Sequence, residues 1–164
     1  MPISSAEVIE KLGLEPLEFE GGYYRRTFLT ERTIDLDKGY SQPLGTAIFF
    51  LLTPESFSAL HWLEEDEIYH FYLGNPVELF EFSNESGMKR TVLGQEISIG
   101  HSLQYPVFKH RWHGSRLVEG GEWALLGTTM APGFVWEDFK LGKRDELISA
   151  FPEHRIIIES LTRN

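Results

Sequence analysis

Residues 57–74 constrain the fold of this chain more than any other stretch, because two runs of β-favouring residues flank the acidic break Glu64-Glu65-Asp66. Aromatic and aliphatic residues on either side of a short charged break read as two strands joined by a turn. Pairing Trp62 with Asp66 closes that turn, and the antiparallel register then sets His61 opposite Glu67, Ala59 opposite Tyr69 and Phe57 opposite Phe71. Side chains alternate along a strand, so these six residues share one face. Opposed Cβ atoms in such pairs lie roughly 5 Å apart. The predicted face is an aromatic floor with an imidazole and a carboxylate at one end, both within reach of one bound ion, water or substrate atom.

The rest of the chain supplies elements to enclose that face. Ser4 and Glu7 have the spacing of a capping box, Val8, Ile9 and Leu12 form an apolar stripe, and Gly13 stops the helix. After Pro16 and the Gly21-Gly22 break, residues 23–30 alternate as a strand, and residues 31–43 read as loop. Thr46-Ala47-Ile48-Phe49-Phe50-Leu51-Leu52-Thr53 is apolar on both faces, which predicts a strand buried between layers and ended by Pro54. Short strands follow at 77–82, 88–93, 104–108, 114–118 and 122–130, most of them separated by glycine-bearing breaks. So many short strands at regular spacing predict a mainly β fold, an antiparallel sandwich or barrel. Residues 144–150 and 153–161 carry helical spacing, split by Phe151-Pro152. No repeat, low-complexity tract or linker divides the chain, so one domain over residues 1–164 is expected.

Charge and cysteine content narrow the partners. The chain has 15 basic and 25 acidic residues, a formal charge of −10, which repels phosphate backbones and anionic headgroups. Neither nucleic acid nor membrane is an expected partner. The absence of cysteine excludes a disulfide framework, a thiolate nucleophile and a cysteine metal site. The opening residues lack the basic start and apolar run of a signal peptide, and the longest apolar run, Ala47-Ile48-Phe49-Phe50-Leu51-Leu52, is too short to span a bilayer. A soluble, cytoplasmic protein is the expectation.

The histidine and carboxylate positions resemble those of cupins, whose first motif is G-x5-H-x-H-x3,4-E-x6-G. His61, Glu67 and Gly74 fall at matching intervals, with Leu63 in place of the second histidine and Glu55 in place of the first glycine. The second cupin motif, G-x5-P-x-G-x2-H-x3-N, is matched by His113, while Phe108, His110 and Leu117 replace its proline, glycine and asparagine, and Gly100 comes two residues early. A branch of small uncharacterised cupins, distantly similar to deoxysugar epimerases, auxin-binding proteins and germins, is matched more fully. Its blocks are Gly21-Gly22-Tyr23-Tyr24-Arg25-Arg26-Thr27, Thr46 to Leu52, Phe57 to His61, Asp66 to Gly74, Ala131-Pro132-Gly133-Phe134 and Asp138-Phe139. This resemblance implies a double-stranded β-helix, a jelly-roll barrel with a pocket inside, commonly as a homodimer. It brings no known reaction.

With that fold, His61, Glu67 and His113 would supply two imidazoles and a carboxylate, a set that suits divalent iron, manganese, nickel or zinc. Leu63 removes the fourth ligand of the family pattern. No cofactor is favoured at this stage, and a divalent metal is the alternative. Without one, Glu67 would orient His61 as a general base and Tyr69 would serve as the acid, as in a sugar epimerase or isomerase. The leading expectation is a pocket binding a small polar or anionic molecule, with Phe57, Ala59 and Phe71 as its floor. Arg25 and Arg26 point to opposite faces of their strand, so at most one enters the barrel. Arg25 is assigned to the ligand, where a guanidinium favours carboxylate or phosphate, and Trp112 and Trp123 are candidates to stack on it. A metal-dependent oxygenase or isomerase is the other enzymatic alternative. His70 is expected to bond a neighbouring strand, His101, His110 and His154 to face solvent, and Trp136 to Phe139 to serve packing and subunit contact.

Overall fold

Strand alternation and the breaks between strands place most of the long strands of the fold, which the computed structural model describes for residues 3–163. The first helix, α1 (Ser5–Leu12), begins where the Ser4 Oγ accepts from the Glu7 N–H at 3.3 Å while Glu7 Oε2 accepts from the Ser4 N–H at 2.9 Å. It ends at Gly13, whose φ of 60° is left-handed. Thirteen strands follow: β1 (Glu15–Pro16), β2 (Tyr23–Leu29), β3 (Thr33–Asp35), β4 (Ser41–Pro43), β5 (Thr46–Leu52), β6 (Ser58–Trp62), β7 (Glu67–Gly74), β8 (Val77–Ser83), β9 (Gly87–Leu93), β10 (Gln104–Val107), β11 (Trp112–Leu117), β12 (Ala124–Met130) and β13 (Lys140–Leu141). Helices α2 (Arg144–Ala150) and α3 (Arg155–Ser160) close the chain. The predicted loop at 31–43 contains the β3–β4 hairpin, a pair too short and polar to show in the alternation.

Two antiparallel sheets face each other, one in the order β1-β2-β5-β12-β7-β10 and the other in the order β13-β6-β11-β8-β9. They form a jelly-roll sandwich whose sheets do not join into a closed hydrogen-bonded cylinder. Phe50, Leu52, Tyr69, Phe71, Leu79 and Leu126 fill the space between them. Behind the six-stranded sheet, Leu51 and Leu125 pack on Val8 and Leu14 at α1. Behind the five-stranded sheet, Leu60, Phe80 and Phe82 pack on Leu147, Phe151, Ile158 and Leu161 of the C-terminal segment. β5 therefore buries both faces, as its unbroken apolar run predicts.

The hairpin expected at 57–74 is not one. Both edges of β6 are taken by β11 and β13, and both edges of β7 by β12 and β10, so residues 63–66 carry the chain from one sheet to the other. His61 lies beside His113 rather than Glu67, and Glu67 lies beside Met130 and Val107. Alternation had fixed which side chains turn inward but not which strand lies next door, and two inward-facing residues on opposed sheets meet across the interior instead of along a sheet. Gly74, at the closing glycine of the motif, has φ 96°, and a Cβ there would lie 2.3 Å from the Trp123 carbonyl oxygen, so no other residue fits. No helix among the described residues is long and apolar enough to cross a membrane.

Candidate metal centre and cavity

Three strands bring His61 (β6), Glu67 (β7) and His113 (β11) together, each less than one-tenth exposed. His113 Nε2 lies 3.0 Å and His61 Nε2 4.0 Å from the same Glu67 oxygen, Oε2. The two rings are 4.1 Å apart at their centroids. Each Nδ1 faces a backbone carbonyl, that of Ala59 at 2.8 Å for His61 and that of Arg111 at 3.1 Å for His113. A carbonyl only accepts, so both Nδ1 atoms carry hydrogen and a neutral ring turns its Nε2 lone pair toward Glu67. A lone pair aimed at a carboxylate is stable only with a proton or a metal ion between them.

Protons meet that requirement in the metal-free protein. Burial alone would depress the His61 imidazole, but the charge of Glu20 and the hydrogen bond and charge of Glu67 outweigh it and raise its pKa to about 9. Burial would raise the Glu67 carboxyl, yet its bonds to His113 and His61 hold it well below the usual carboxylate range. The Tyr69 hydroxyl is pushed far up, first by burial and then by the charges of Glu67 and Glu20, with its own bond to Glu67 adding to both. Tyr69 stands edge-on to His113 behind the carboxylate.

A divalent ion meets the same requirement. The three ligand atoms lie within 4.8 Å of one another, both imidazoles are held in one tautomer by their carbonyls, and the carboxylate supplies the anionic donor. The donor set fits a metal. Leu63, at the position of the missing family ligand, lines the open side.

That side opens into a cavity of about 640 Å3. Leu17, Tyr24, Ile48 and Met130 line it together with His61 and Glu67. One wall is the segment 134–139: Phe139 stacks on His61 at 5.4 Å, and Trp136 packs edge-to-face on both Phe139 and Phe134. Asp138, 1% exposed, clasps this segment, its Oδ2 accepting from Gln42 Nε2 at 2.6 Å and from Lys38 Nζ at 3.2 Å, its Oδ1 from the Tyr40 hydroxyl. Lys38 also reaches Glu65 at 2.6 Å, so the β3–β4 hairpin ties the wall to the connection between β6 and β7. Gly133 permits the approach, since a Cβ there would lie 2.8 Å from Thr46 Cγ2 and 2.9 Å from Pro43 Cγ.

Of the residues singled out from the sequence, the structure brings His61, Glu67, His113 and Tyr69 together, and Arg25 borders the cavity. Phe57 and Trp112 instead pack in the cluster under the C-terminal helices, and Trp123 packs beside α1. Phe71 belongs to the inner core, and Ala59, 1% exposed, gives its carbonyl to His61. Their assignment depended on the hairpin register. Arg25 lies over the Phe49 ring on the outer face, whereas Arg26, opposite Ile48, shares the inward parity with Tyr24, and both arginines border the cavity. Glu20, Phe134, Trp136 and Phe139 are cavity residues that the sequence did not single out for the ligand. Phe134 and Phe139 each stood in a matched block, 131–134 and 138–139, the signal that could have found them. His70 bonds Thr129 on β12 at 2.9 Å, as expected of it, and His110 is exposed while His101 and His154 are half-buried.

A family model described as the cupin superfamily (DUF985) matches residues 6–142. A hypothetical protein from Leishmania major superposes with a TM-score of 0.91 at 28% identity, covering 99% of this chain and 100% of its own. A protein from Shewanella oneidensis gives 0.90 at 29% identity, with 99% of each chain covered. A dTDP sugar isomerase from Desulfovibrio desulfuricans shares the fold at a TM-score of 0.55 and 15% identity, over 80% of this chain and 86% of that one. No curated protein matches. With two facing sheets, an inward His–Glu–His cluster and a family model spanning most of its length, the chain belongs to the cupin superfamily, in the DUF985 family.

Proposed function

We propose that this cupin is a metal-dependent enzyme that takes a small oxygen-bearing molecule into its cavity, with His61, Glu67 and His113 holding a divalent ion at the floor. The observation that carries this reading is the convergence of two Nε2 atoms and one carboxylate oxygen within 4.8 Å, with each Nδ1 spent on a carbonyl. Such an ion would supply Lewis-acid polarisation of a substrate oxygen at positions left open by the protein. The chain's own contribution is positional. Ala59 and Arg111 fix the two rings through their carbonyls, Phe139 covers one face of His61, and Tyr69 packs edge-on against His113. Leu63 and Met130 keep the floor beside the site apolar.

The metal-free alternative, His61 as the base of an epimerase, has less support, because the charges of Glu20 and Glu67 favour the protonated imidazole. An imidazole whose pKa stands at about 9 already holds its proton at neutral pH and acts first as an acid. Protein purified without chelator and analysed for metals tests the reading. About one divalent ion per chain, lost from His61→Ala and from His113→Ala while both variants keep the wild-type circular dichroism, is the expected result for a site of this donor set. Metal-free wild-type protein that takes up no iron, manganese, nickel or zinc at micromolar concentration would overturn it.

A further inference from the structure

One wall of the cavity is made of rings, of which only Phe139 touches the metal centre, through His61. Trp136 stays 52% exposed although it touches Phe139 at 5.3 Å, Phe134 at 5.0 Å and Phe19 at 6.4 Å, all edge-to-face. Three rings at steep angles to one another leave open both faces and edges, the two surfaces a flat π-system uses in stacked and T-shaped contacts. Phe19 is held at φ 66°, a left-handed backbone that a bulky residue rarely adopts. Arg163 Nη1 donates to its carbonyl at 2.7 Å and keeps it there. The same turn sets the Phe19 ring edge-on to Trp136.

A cation borders the same cavity. Arg25 spends its guanidinium over Phe49, but the Arg26 guanidinium has no hydrogen bond, ion pair or ring partner among the described residues, and it borders the cavity from the strand opposite Ile48. An unpaired planar guanidinium at a cavity rim presents a fork matched to a carboxylate.

We propose that the cavity is specific for planar aromatic carboxylates, with the ring against Trp136, Phe134 and Phe139 and the acid group toward Arg26. This specificity rests on the metal-dependent reading only for what would happen to the ligand, not for its binding. Calorimetric titration of the full chain, both metal-free and zinc-loaded, tests it with phenylacetate, its uncharged amide phenylacetamide, and cyclohexylacetate, which keeps the acid and the bulk but not the π-face. Phenylacetate is expected to bind about tenfold tighter than either analogue. Arg26→Gln should abolish the preference over the amide and keep that over cyclohexylacetate, with Arg26→Lys restoring part of the loss. Trp136→Leu, which keeps apolar bulk at an exposed position, should do the reverse. Equal affinity for the three compounds, no binding at millimolar concentration, or variants that weaken all three alike would overturn the proposal. A preference that persists in protein unable to take up metal would uphold it while the metal reading fails; metal uptake without the preference would do the opposite.

Discussion

Glu67 is the residue on which the interior charge balance turns. It faces two Nε2 atoms at 3.0 and 4.0 Å on the buried floor of the cavity, so removing its charge leaves His61 without a partner that stabilises its proton. Glu67→Gln in the metal-free protein is expected to cost on the order of 3 kcal/mol at neutral pH, read from urea denaturation. The dependence on pH has a definite sign. His61 is raised from 6.5 to about 9, so its contribution is complete below 6.5 and is lost as pH climbs through 9. Glu67 is lowered from 4.5, so its contribution is complete above 4.5 and is lost on acidification. Metal-free stability should therefore peak between those limits and decline toward alkaline pH, and His61→Gln should flatten the alkaline limb. Added zinc should reverse the slope, because an ion competes with the protons for the same lone pairs. These three residues were legible in the sequence from their positions in the two cupin motifs, although the hairpin expected to join His61 to Glu67 does not form. The spacing records which side chains face inward, and inward is the same direction from either sheet.

At the scale of elements, the pattern reported strands wherever burial set the alternation and failed where tertiary bonds set the structure. β5 and the capped helix α1 stood out because their apolar residues face layers that the chain itself supplies. The β3–β4 hairpin did not, since Thr33-Ile34-Asp35 and Ser41-Gln42-Pro43 are short and polar, and what holds them is Asp138, roughly a hundred residues away in the chain. Asp138→Ala should remove one acceptor from each of Gln42, Lys38 and Tyr40, leaving Gln42 the Gly133 carbonyl and Lys38 the Glu65 carboxylate, and cost on the order of 3 kcal/mol. Hydrogen exchange should accelerate in residues 33–43 before it does in β5 or β12, and Phe139 should loosen over His61. Unchanged exchange in the hairpin would mean that Glu65 alone secures Lys38. The cavity wall at 134–139 was hidden for the same reason: its aromatic residues show no strand or helix period, and only the fold brings them over β6.

For the whole molecule, the question is whether the C-terminal helices belong to the cupin unit or ride on it. α2 is seven residues long and α3 six, too short to persist alone in water, so their order must come from packing. Ile158 is completely buried, in one cluster with Leu60 of β6, the strand of His61, and with Phe80 and Phe82 of β8. The Leu161 carbonyl also accepts from the Leu60 N–H at 2.8 Å, one residue from His61. The family model ends at residue 142, yet these contacts put residues 147–161 behind the strand that carries His61. Ile158→Ala is expected to cost roughly 2–5 kcal/mol of global stability. Tryptophan fluorescence and far-ultraviolet circular dichroism should lose amplitude in one coincident transition, shifted to lower urea with the slope unchanged. An early, separate loss of helical signal with the main midpoint unmoved would show the helices to be an appendage, and would also predict that metal affinity survives the substitution, which a shared core does not allow.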